Sequence, residues 1–399
     1  MPYGSVGGME RLALSFYNHY KSKGYDVKGL KFIKLGTDLI NFGEDEMFLK
    51  TRDFNEMSTW ERLKFYLSVP NSIRKIIKKE KITHSISFGD MANFFSSLTL
   101  TKEFKIGSIH ALKSVEFTNK SFFNSLFKLS YKTTYANLDK VICISKDIKE
   151  DLINKCGFRF INKLEIIYNP HDLNHINKLA TEPIENQEEL ALFAKTSILF
   201  LGRLSIQKSP WHLIKAFSLV LESKLDTNLV FIGDGDKNVE NYLKKLSKNL
   251  NMDKNIFFLG RRNNPYKYMV KADVLALSSH YEGTPNVIVE SICVGTPIVS
   301  SFCTRGIIEL MELSPRELLP ENENIYTEAG IITPNLFKGV LGIPKVNNRI
   351  IEEEIRLSEA LKLVLSSNKY KNILEDNKDL LLTKFDIEKV TRQYLEKNN

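Results

Sequence analysis

A chain of 399 residues that is 43% hydrophobic and 26% charged has enough apolar content for more than one buried core, so about two globular α/β domains are expected. No stretch reaches the roughly 18 uncharged apolar residues of a membrane span, and the start of the chain lacks the basic-then-apolar layout of a secretory signal. The expectation is a cytoplasmic protein, with a peripheral place on the inner face of the cell membrane as an option. Cys143, Cys156, Cys293 and Cys303 form no CxxC pair and sit in apolar runs, so they read as reduced core thiols and argue against a disulfide framework or a thiolate zinc site.

The net charge of +8 is unevenly placed: residues 1–170 hold 27 Lys plus Arg against 18 Asp plus Glu, and residues 171–399 hold 29 against 30. A basic half attracts nucleic acid, anionic lipid or a phosphate-bearing substrate, or is simply a lysine-rich solvated face. Charge alone does not choose among these.

In chain order, Gly4, Gly7 and Gly8 come first, ahead of a helical pattern in Met9, Leu12, Ala13, Phe16 and Tyr20. This is the layout of a glycine turn joining a first strand to its helix. Only residues 1–3 stand before the turn, so the first sheet is expected to lack a normally central strand, through a start placed several residues late or a product genuinely shortened. Short β-rich apolar runs then alternate with amphipathic helical patterns. Strands are expected at 85–88, 106–109, 141–144 and 164–168, and again at 198–201, 229–232, 256–258, 274–277 and 297–300. That rhythm of strand, crossover helix and parallel strand predicts two similar α/β architectures in tandem. The acidic, Pro-containing stretch 181–189 separates them, giving a first domain over 1–180, a second over 190–375, and a C-terminal helix over 376–399 that returns to the first.

The chemistry concentrates in residues 278–300, SSHYEGTPNVIVESICVGTPIVS. An apolar strand runs into a turn and then a helix, with Thr284 suited to the N-cap and Pro285 to the first helical position. The N–H groups of Asn286 and Val287 then point out of the helix start, where the dipole favours an anion such as a diphosphate. Glu290 lies inside that helix, about 7.5 Å along the axis from Pro285, while Glu282 lies outside it on the loop. Two carboxylates aimed at a phosphate would repel it, so each more plausibly accepts hydrogen bonds from sugar hydroxyls at opposite ends of a ligand.

The spacing of Glu282 and Glu290 in Glu282-Gly-Thr-Pro-Asn-Val-Ile-Val-Glu290, followed by Gly295-Thr-Pro-Ile-Val, resembles glycosyltransferase family 4. The resemblance extends to Phe200-Leu-Gly-Arg203-Leu with Lys208, to Phe231-Ile-Gly-Asp-Gly235, to Leu259-Gly with Asn264-Pro265-Tyr266, to Tyr168-Asn-Pro-His-Asp172, and to Gly7-Gly8-Met-Glu-Arg11. It implies a GT-B fold, two Rossmann-like α/β domains facing across a cleft, and a retaining transferase that needs no metal or other cofactor. In that reading Glu290 accepts the ribose hydroxyls, and Glu282 binds the transferred sugar and helps stabilise its developing charge. Arg203 and Lys208 neutralise the diphosphate in place of a divalent ion. The backbone of Gly283, Thr284, Pro285, Asn286 and Val287 binds phosphate and sugar, and Gly7 and Gly8 close over the ligand from the other domain. His110, at a strand end, takes the place of the histidine such enzymes use near the donor sugar.

His171, His175 and His280 read as structural or loop residues, and Glu10, Arg11 and Arg305 receive no role. Asp234-Gly-Asp236 carries the Asp-x-Asp spacing of a metal motif, but its strand-to-helix position reads as a turn. Lys113, Lys120, Lys128 and Lys132 interleave with Phe117, Phe122, Phe123, Leu126, Phe127 and Leu129. This segment is suited either to an anionic membrane surface or to a core helix with a lysine-rich outer face. The expected partners are a nucleotide-sugar donor, a UDP-sugar first among them, and a saccharide or lipid-linked acceptor in cell-surface polysaccharide or lipopolysaccharide synthesis. No nucleic acid is expected. The rival readings are a sugar-nucleotide epimerase of the same fold, a basic nucleic-acid-binding protein and an inactive truncated product.

Overall fold

The computed structural model of the chain describes residues 1–4, 8–118, 121–223, 226–316, 322–347 and 349–397. Two Rossmann-like α/β units emerge, one made of Met1–Pro170 with Lys384–Asn399 and the other of His171–Thr383. The four cysteines are free and buried.

In the first unit, β1 (Gly29–Ile33) and β2 (Glu46–Lys50) form a parallel pair. A separate parallel sheet runs β3 (His84–Phe88), β4 (Phe104–Ile109), β5 (Lys140–Cys143) and β6 (Leu164–Ile166). β1 and β2 were not expected from the sequence because their charged residues break the apolar run. One of these, Lys31, is buried in β1 and ion-paired to Asp38 at 3.0 Å and Glu46 at 2.8 Å. Met1 lies beside β1, its amino group donating to Leu30 O and its carbonyl accepting from Phe32 N. Between β1 and β3 lies a cavity of about 550 Å³ whose walls include Phe16, Tyr20, Leu30, Phe32, Ile77 and Ile86.

The C-terminal helix Ile387–Leu395 belongs to this unit, and its anchors explain why. Tyr394 is fully buried with its ring centroid 4.6 Å from that of Phe16, and Tyr20 Oη donates to Thr391 O. Lys140 Nζ caps the helix end through Gln393 O at 3.0 Å and Glu396 O at 2.8 Å, a cation placed where the helix dipole is negative.

In the second unit a seven-stranded sheet contains β7 (Thr196–Leu201), β8 (Thr227–Ile232), β9 (Ile256–Gly260), β10 (Val274–Leu277), β11 (Ile298–Ser301), β12 (Ile325–Thr327) and β13 (Gly330–Thr333). The spatial order is β12-β13-β11-β10-β7-β8-β9, with only the β12–β13 pairing antiparallel. Its central strands are buried on both faces, which is why they read as unbroken apolar runs. Helices Pro210–Glu222 and Glu352–Leu365 pack together over one face, burying Trp211, Phe217, Leu357 and Leu361.

The two sides of β3 differ. Thr83 O accepts from Phe104 N and Gly89 N donates to Ser108 O, so odd-numbered residues face β4 and the N–H of Ile86 faces the cavity. In residue-resolved hydrogen exchange, the Ile86 amide should exchange at least about tenfold faster than that of Ile142, whose strand is paired on both sides. Equal protection would mean that a partner covers the cavity edge of β3.

Candidate functional site

The winding of the second unit locates a crevice. From β7 the chain proceeds outward to β8 and β9, then crosses back to β10 beside β7 and continues to β11. At such a reversal the loops leaving neighbouring strands diverge and open a site at the carboxyl ends of the strands. The two loops here are 202–209 and 278–285, and they are laced together. Ser209 Oγ donates to Ser278 O, Ser278 Oγ to Ser209 O, His280 N to Gln207 O at 2.8 Å, and Gln207 Nε2 to Tyr281 O at 3.0 Å. Ser209 sits in the left-handed region with φ 36°, uncommon for a residue with a side chain, and this lacing holds it there.

The loop after β8 presses on the first of these. A Cβ at Gly233 would lie 2.0 Å from Gly202 O, and one at Gly235 would lie 2.4 Å from Leu204 O. Glycine at both places is therefore a condition of close backbone approach. Asp236 spends its carboxylate on the N-terminus of helix Lys237–Asn249, accepting from Asn238 N at 2.8 Å, as a turn residue would.

Lys208 and Glu282 meet across the laced loops, Nζ to Oε1 at 2.7 Å, with their side chains only 17% and 10% exposed. Ser279 Oγ donates to the same Glu282 oxygen at 2.9 Å, and Gln207 Nε2 approaches the other at 3.4 Å. Glu282 is thus held by donors from both loops. Arg203, by contrast, is exposed and makes no ion pair among the described residues. Gln207 and Ser279 were missed in the sequence, since neither type carries a chemical signal of its own.

The helix that follows is Asn286–Cys293, and its start corrects the expected cap by one residue. Pro285 is the N-cap, with extended backbone, and Thr284 lies outside the helix. Intrahelical bonding begins with the Ile288 N–H, which donates to Pro285 O at 3.0 Å, so the N–H groups of Asn286 and Val287 have no helical acceptor. Thr284 Oγ1 is buried and has no hydrogen-bond partner among the described residues. Gly283 lies against Gly306, where an added Cβ would stand 3.3 Å from Gly283 O. Glu290 is half-buried one turn into the helix. The helix start thus leaves two backbone donors without a helical acceptor, with Glu282 on the loop ahead of them and Glu290 on the helix behind.

His110 and Gly8 belong to the other unit. His110 follows β4, its Nε2 faces Ser108 Oγ at 2.8 Å, and that hydroxyl is 3.2 Å from Tyr394 Oη. Burial, helped by the Lys113 charge, holds its pKa down to about 3, so the ring is neutral at ordinary pH. Gly8 opens the helix Gly8–Ser22, while Gly7 lies outside the described residues. Lys120 of the basic aromatic segment also lies outside them. Lys113 corrects the expectation for that segment: it is buried and ion-paired with Asp90 and Glu116, both at 2.7 Å. His171 and His280 are buried, and desolvation lowers each to about 4.

A pair of Rossmann-like domains, one keeping a polar crevice at its switch point, is the architecture of the GT-B glycosyltransferases, and this chain is of that class. Residues 184–324 match the family model described as Glycosyl transferases group 1, and residues 6–175 the model described as Glycosyltransferase Family 4. The chain belongs to that family and is a hexosyltransferase-type enzyme. It is 28% identical to an uncharacterised glycosyltransferase of Methanocaldococcus jannaschii, covering 81% of this chain and 80% of the relative. It is 34% identical to the N-acetylgalactosamine-N,N'-diacetylbacillosaminyl-diphospho-undecaprenol 4-alpha-N-acetylgalactosaminyltransferase of Campylobacter jejuni, over 51% of this chain and 53% of that one. Among solved structures, Anabaena HepE in complex with UDP and glucose shares the fold with a TM-score of 0.68. That likeness covers 98% of this chain and 96% of HepE at 14% identity.

Lys208→Met should destabilise the enzyme by about 1–3 kcal/mol in denaturant titrations, because it leaves the Glu282 carboxylate desolvated without its cation. The double variant Lys208→Met/Glu282→Gln should recover most of that loss, and strict additivity would mean the pair is not coupled. A second expectation concerns pH. His110, His171 and His280 have folded pKa values below the unfolded value of about 6.5, so the unfolded chain binds more protons in that window. Stability should fall as pH drops from about 6.5 toward 4, each histidine adding a slope of up to about 1.4 kcal/mol per pH unit. Thermal melts of wild type and His171→Phe between pH 7 and 5 test this, the variant showing the shallower decline.

Proposed function

We propose that this enzyme transfers a sugar from a nucleotide donor, a UDP-sugar first among the candidates, to a saccharide or lipid-linked acceptor with retention at the anomeric carbon. The product would enter cell-surface polysaccharide or lipopolysaccharide synthesis. The observation that carries the reading is the start of helix Asn286–Cys293, whose first two N–H groups have no helical acceptor, with the Lys208-paired Glu282 on the loop ahead of it. The UDP and glucose bound by HepE and the undecaprenol-linked acceptor named for the Campylobacter relative support it.

In this reading the diphosphate lies at the helix start, where backbone donors and the helix dipole bind it without a metal ion. The leaving nucleoside diphosphate gains charge as the glycosidic bond breaks. Arg203 supplies a cation for that charge, and Lys208 is shared between it and Glu282. Glu290 accepts from the ribose hydroxyls. Glu282, ion-paired with Lys208, accepts from hydroxyls of the transferred sugar and stabilises positive charge developing on its ring. His110 contributes as a neutral hydrogen-bonding group near that sugar.

The first unit, which this reading takes as the acceptor side, favours an anionic membrane. On helix Thr59–Lys79, Trp60 is 73% exposed and Leu67 74%, with exposed Leu63 between them and Lys64 alongside. The adjacent helix Phe122–Ser130, joined to it through a Tyr66–Phe123 ring contact at 5.1 Å, exposes Phe122 (78%), Leu129 and Lys128. Apolar side chains at helical spacing beside lysines suit an interface of acyl chains and anionic headgroups. Trp60, Leu63 and Leu67 were not singled out in the sequence, although their i, i+3, i+7 spacing was there to find.

A thermal-shift screen of uridine, guanosine and adenosine diphosphate sugars should give stabilisation by the uridine series, unchanged by EDTA. Glu290→Ala should weaken UDP binding by about tenfold, the loss of a charged acceptor, and Glu282→Ala should lower turnover more than affinity. Stabilisation by none of the three series would reject the donor assignment. For the membrane face, sedimentation should show salt-sensitive binding to phosphatidylcholine vesicles containing phosphatidylglycerol, reduced in Trp60→Ala/Leu67→Ser. Equal binding to pure phosphatidylcholine would discard the electrostatic part.

A further inference from the structure

Two residues before Glu282, His280 turns away from the crevice into an apolar box. Its ring packs against Trp211 and Phe337, with centroids at 5.8 and 5.2 Å, and is 5% exposed. Its Nε2 faces the Nε2 of His212 at 3.1 Å, and His212 Nδ1 faces Glu354 Oε1 at 2.7 Å. Glu354 is fully buried, and its other oxygen accepts from Ile351 N at 2.9 Å. These three side chains come from three segments far apart in sequence and form one chain of hydrogen bonds that begins two residues before Glu282, on the loop that carries it.

The partners fix where the protons sit. A carboxylate only accepts, so His212 carries its proton on Nδ1. Neutral His212 then offers a lone pair at Nε2, so His280 must donate from its own Nε2. That leaves His280 Nδ1 as a bare acceptor, and this atom is indeed buried with no partner among the described residues. The reverse polarity would place an N–H there with no acceptor, at a cost of about 1–3 kcal/mol. A further proton on the chain sets two N–H groups face to face across 3.1 Å. The surrounding charges are Lys215, whose Nζ is 3.9 Å from Glu354 Oε1, and the neighbouring Glu353 with its ion-pair partner Lys338, while the Tyr242 phenol also faces Glu354.

We infer that the His280–His212–Glu354 chain is a positioning device for Glu282, holding loop 278–282 in its laced form while the chain carries one proton per imidazole and releasing it when a further proton arrives. This rests on the donor-site reading for its catalytic consequence, but the loop behaviour stands without it. His280 and His212 are positioning residues here, since neither is placed against substrate.

The test compares wild type, His280→Phe and Glu354→Gln over pH 4–8 with two readouts: hydrogen exchange of peptides spanning 278–284, and the rate of UDP release by hydrolysis, water taking the sugar, from whichever UDP-sugar stabilises the enzyme most in the thermal-shift screen. In wild type the loop amides should lose protection as pH falls, beyond the intrinsic pH dependence of exchange, and UDP release should show an acid limb in kcat with little change in KM. His280→Phe keeps the ring packing and removes the link. It should expose the loop at least tenfold more at pH 7, lower kcat about tenfold, and abolish the pH-dependent part. Glu354→Gln removes the anion that favours a further proton, so the transition should move to lower pH. Loop protection that follows intrinsic exchange alone in wild type, or a transition unmoved in Glu354→Gln, overturns the inference, and the second result decides the matter should His280→Phe not fold. Failure of wild type to release UDP would count against the donor assignment, while the exchange measurement would still decide the positioning role.

Discussion

The second unit depends on one electrostatic arrangement, an acid ion-paired to a lysine beside a helix start whose dipole favours negative charge. A helix start whose first N–H groups lack a helical acceptor draws negative charge, and Glu282, four residues ahead of Asn286, would oppose that charge if left bare. Lys208 resolves the conflict at 2.7 Å. At an effective dielectric near 20, two unit charges at that range attract by several kcal/mol, about 4 kcal/mol even at 4 Å. The ion pair therefore makes it affordable for a desolvated carboxylate to remain at the crevice, and it takes Glu282 out of competition with a phosphate for the helix dipole.

That pair exists only because two loops are brought together at the reversal of strand order. Their lacing uses backbone carbonyls and serine hydroxyls, groups with short reach, so it tolerates little displacement of β7 relative to β10. The glycines after β8 serve the same end. With a side chain at Gly233 or Gly235 the 202–209 loop would have to retreat, carrying Lys208 with it. The Phe231-Ile-Gly-Asp-Gly235 pattern is thus a steric requirement of the ion pair, several residues removed from it and invisible as such in a linear reading.

Much of the second unit was legible because its strands are covered on both faces and so write themselves as uninterrupted apolar runs. The helix after β10 was legible too, since capping effects act over one turn of contiguous sequence. Three kinds of feature were not. Strands β1 and β2 escaped because a buried, doubly ion-paired Lys31 looks like a surface residue until its partners Asp38 and Glu46 are seen beside it. Lys113 misled for the same reason, reading as a surface cation, whether membrane-facing or on a solvated outer face, when it is neutralised inside the unit. The Glu354–His212 contact joins residues 142 positions apart, and no local rule reaches that far. The helix cap was off by one residue because a proline fits both the last extended position and the first helical one, and only the backbone angle distinguishes them.

The charge imbalance of the chain takes a different meaning once burial is known. Lys31, Lys113 and Lys140 of the basic first unit are buried with carboxylate or helix-end partners, so they add nothing to a long-range field felt by a partner. Lysines that remain exposed, such as Lys64, Lys75, Lys128 and Lys132, carry the field, and Lys64 and Lys128 accompany Trp60, Leu67, Phe122 and Leu129. A nucleic-acid surface would have little use for bare leucines at helical spacing, since its affinity comes from phosphate contacts and aromatic stacking. An anionic lipid surface uses both components, the cations at the headgroups and the apolar side chains below them. The pairing of the two on adjacent helices is therefore the stronger argument about the partner of this face, and the overall charge the weaker one.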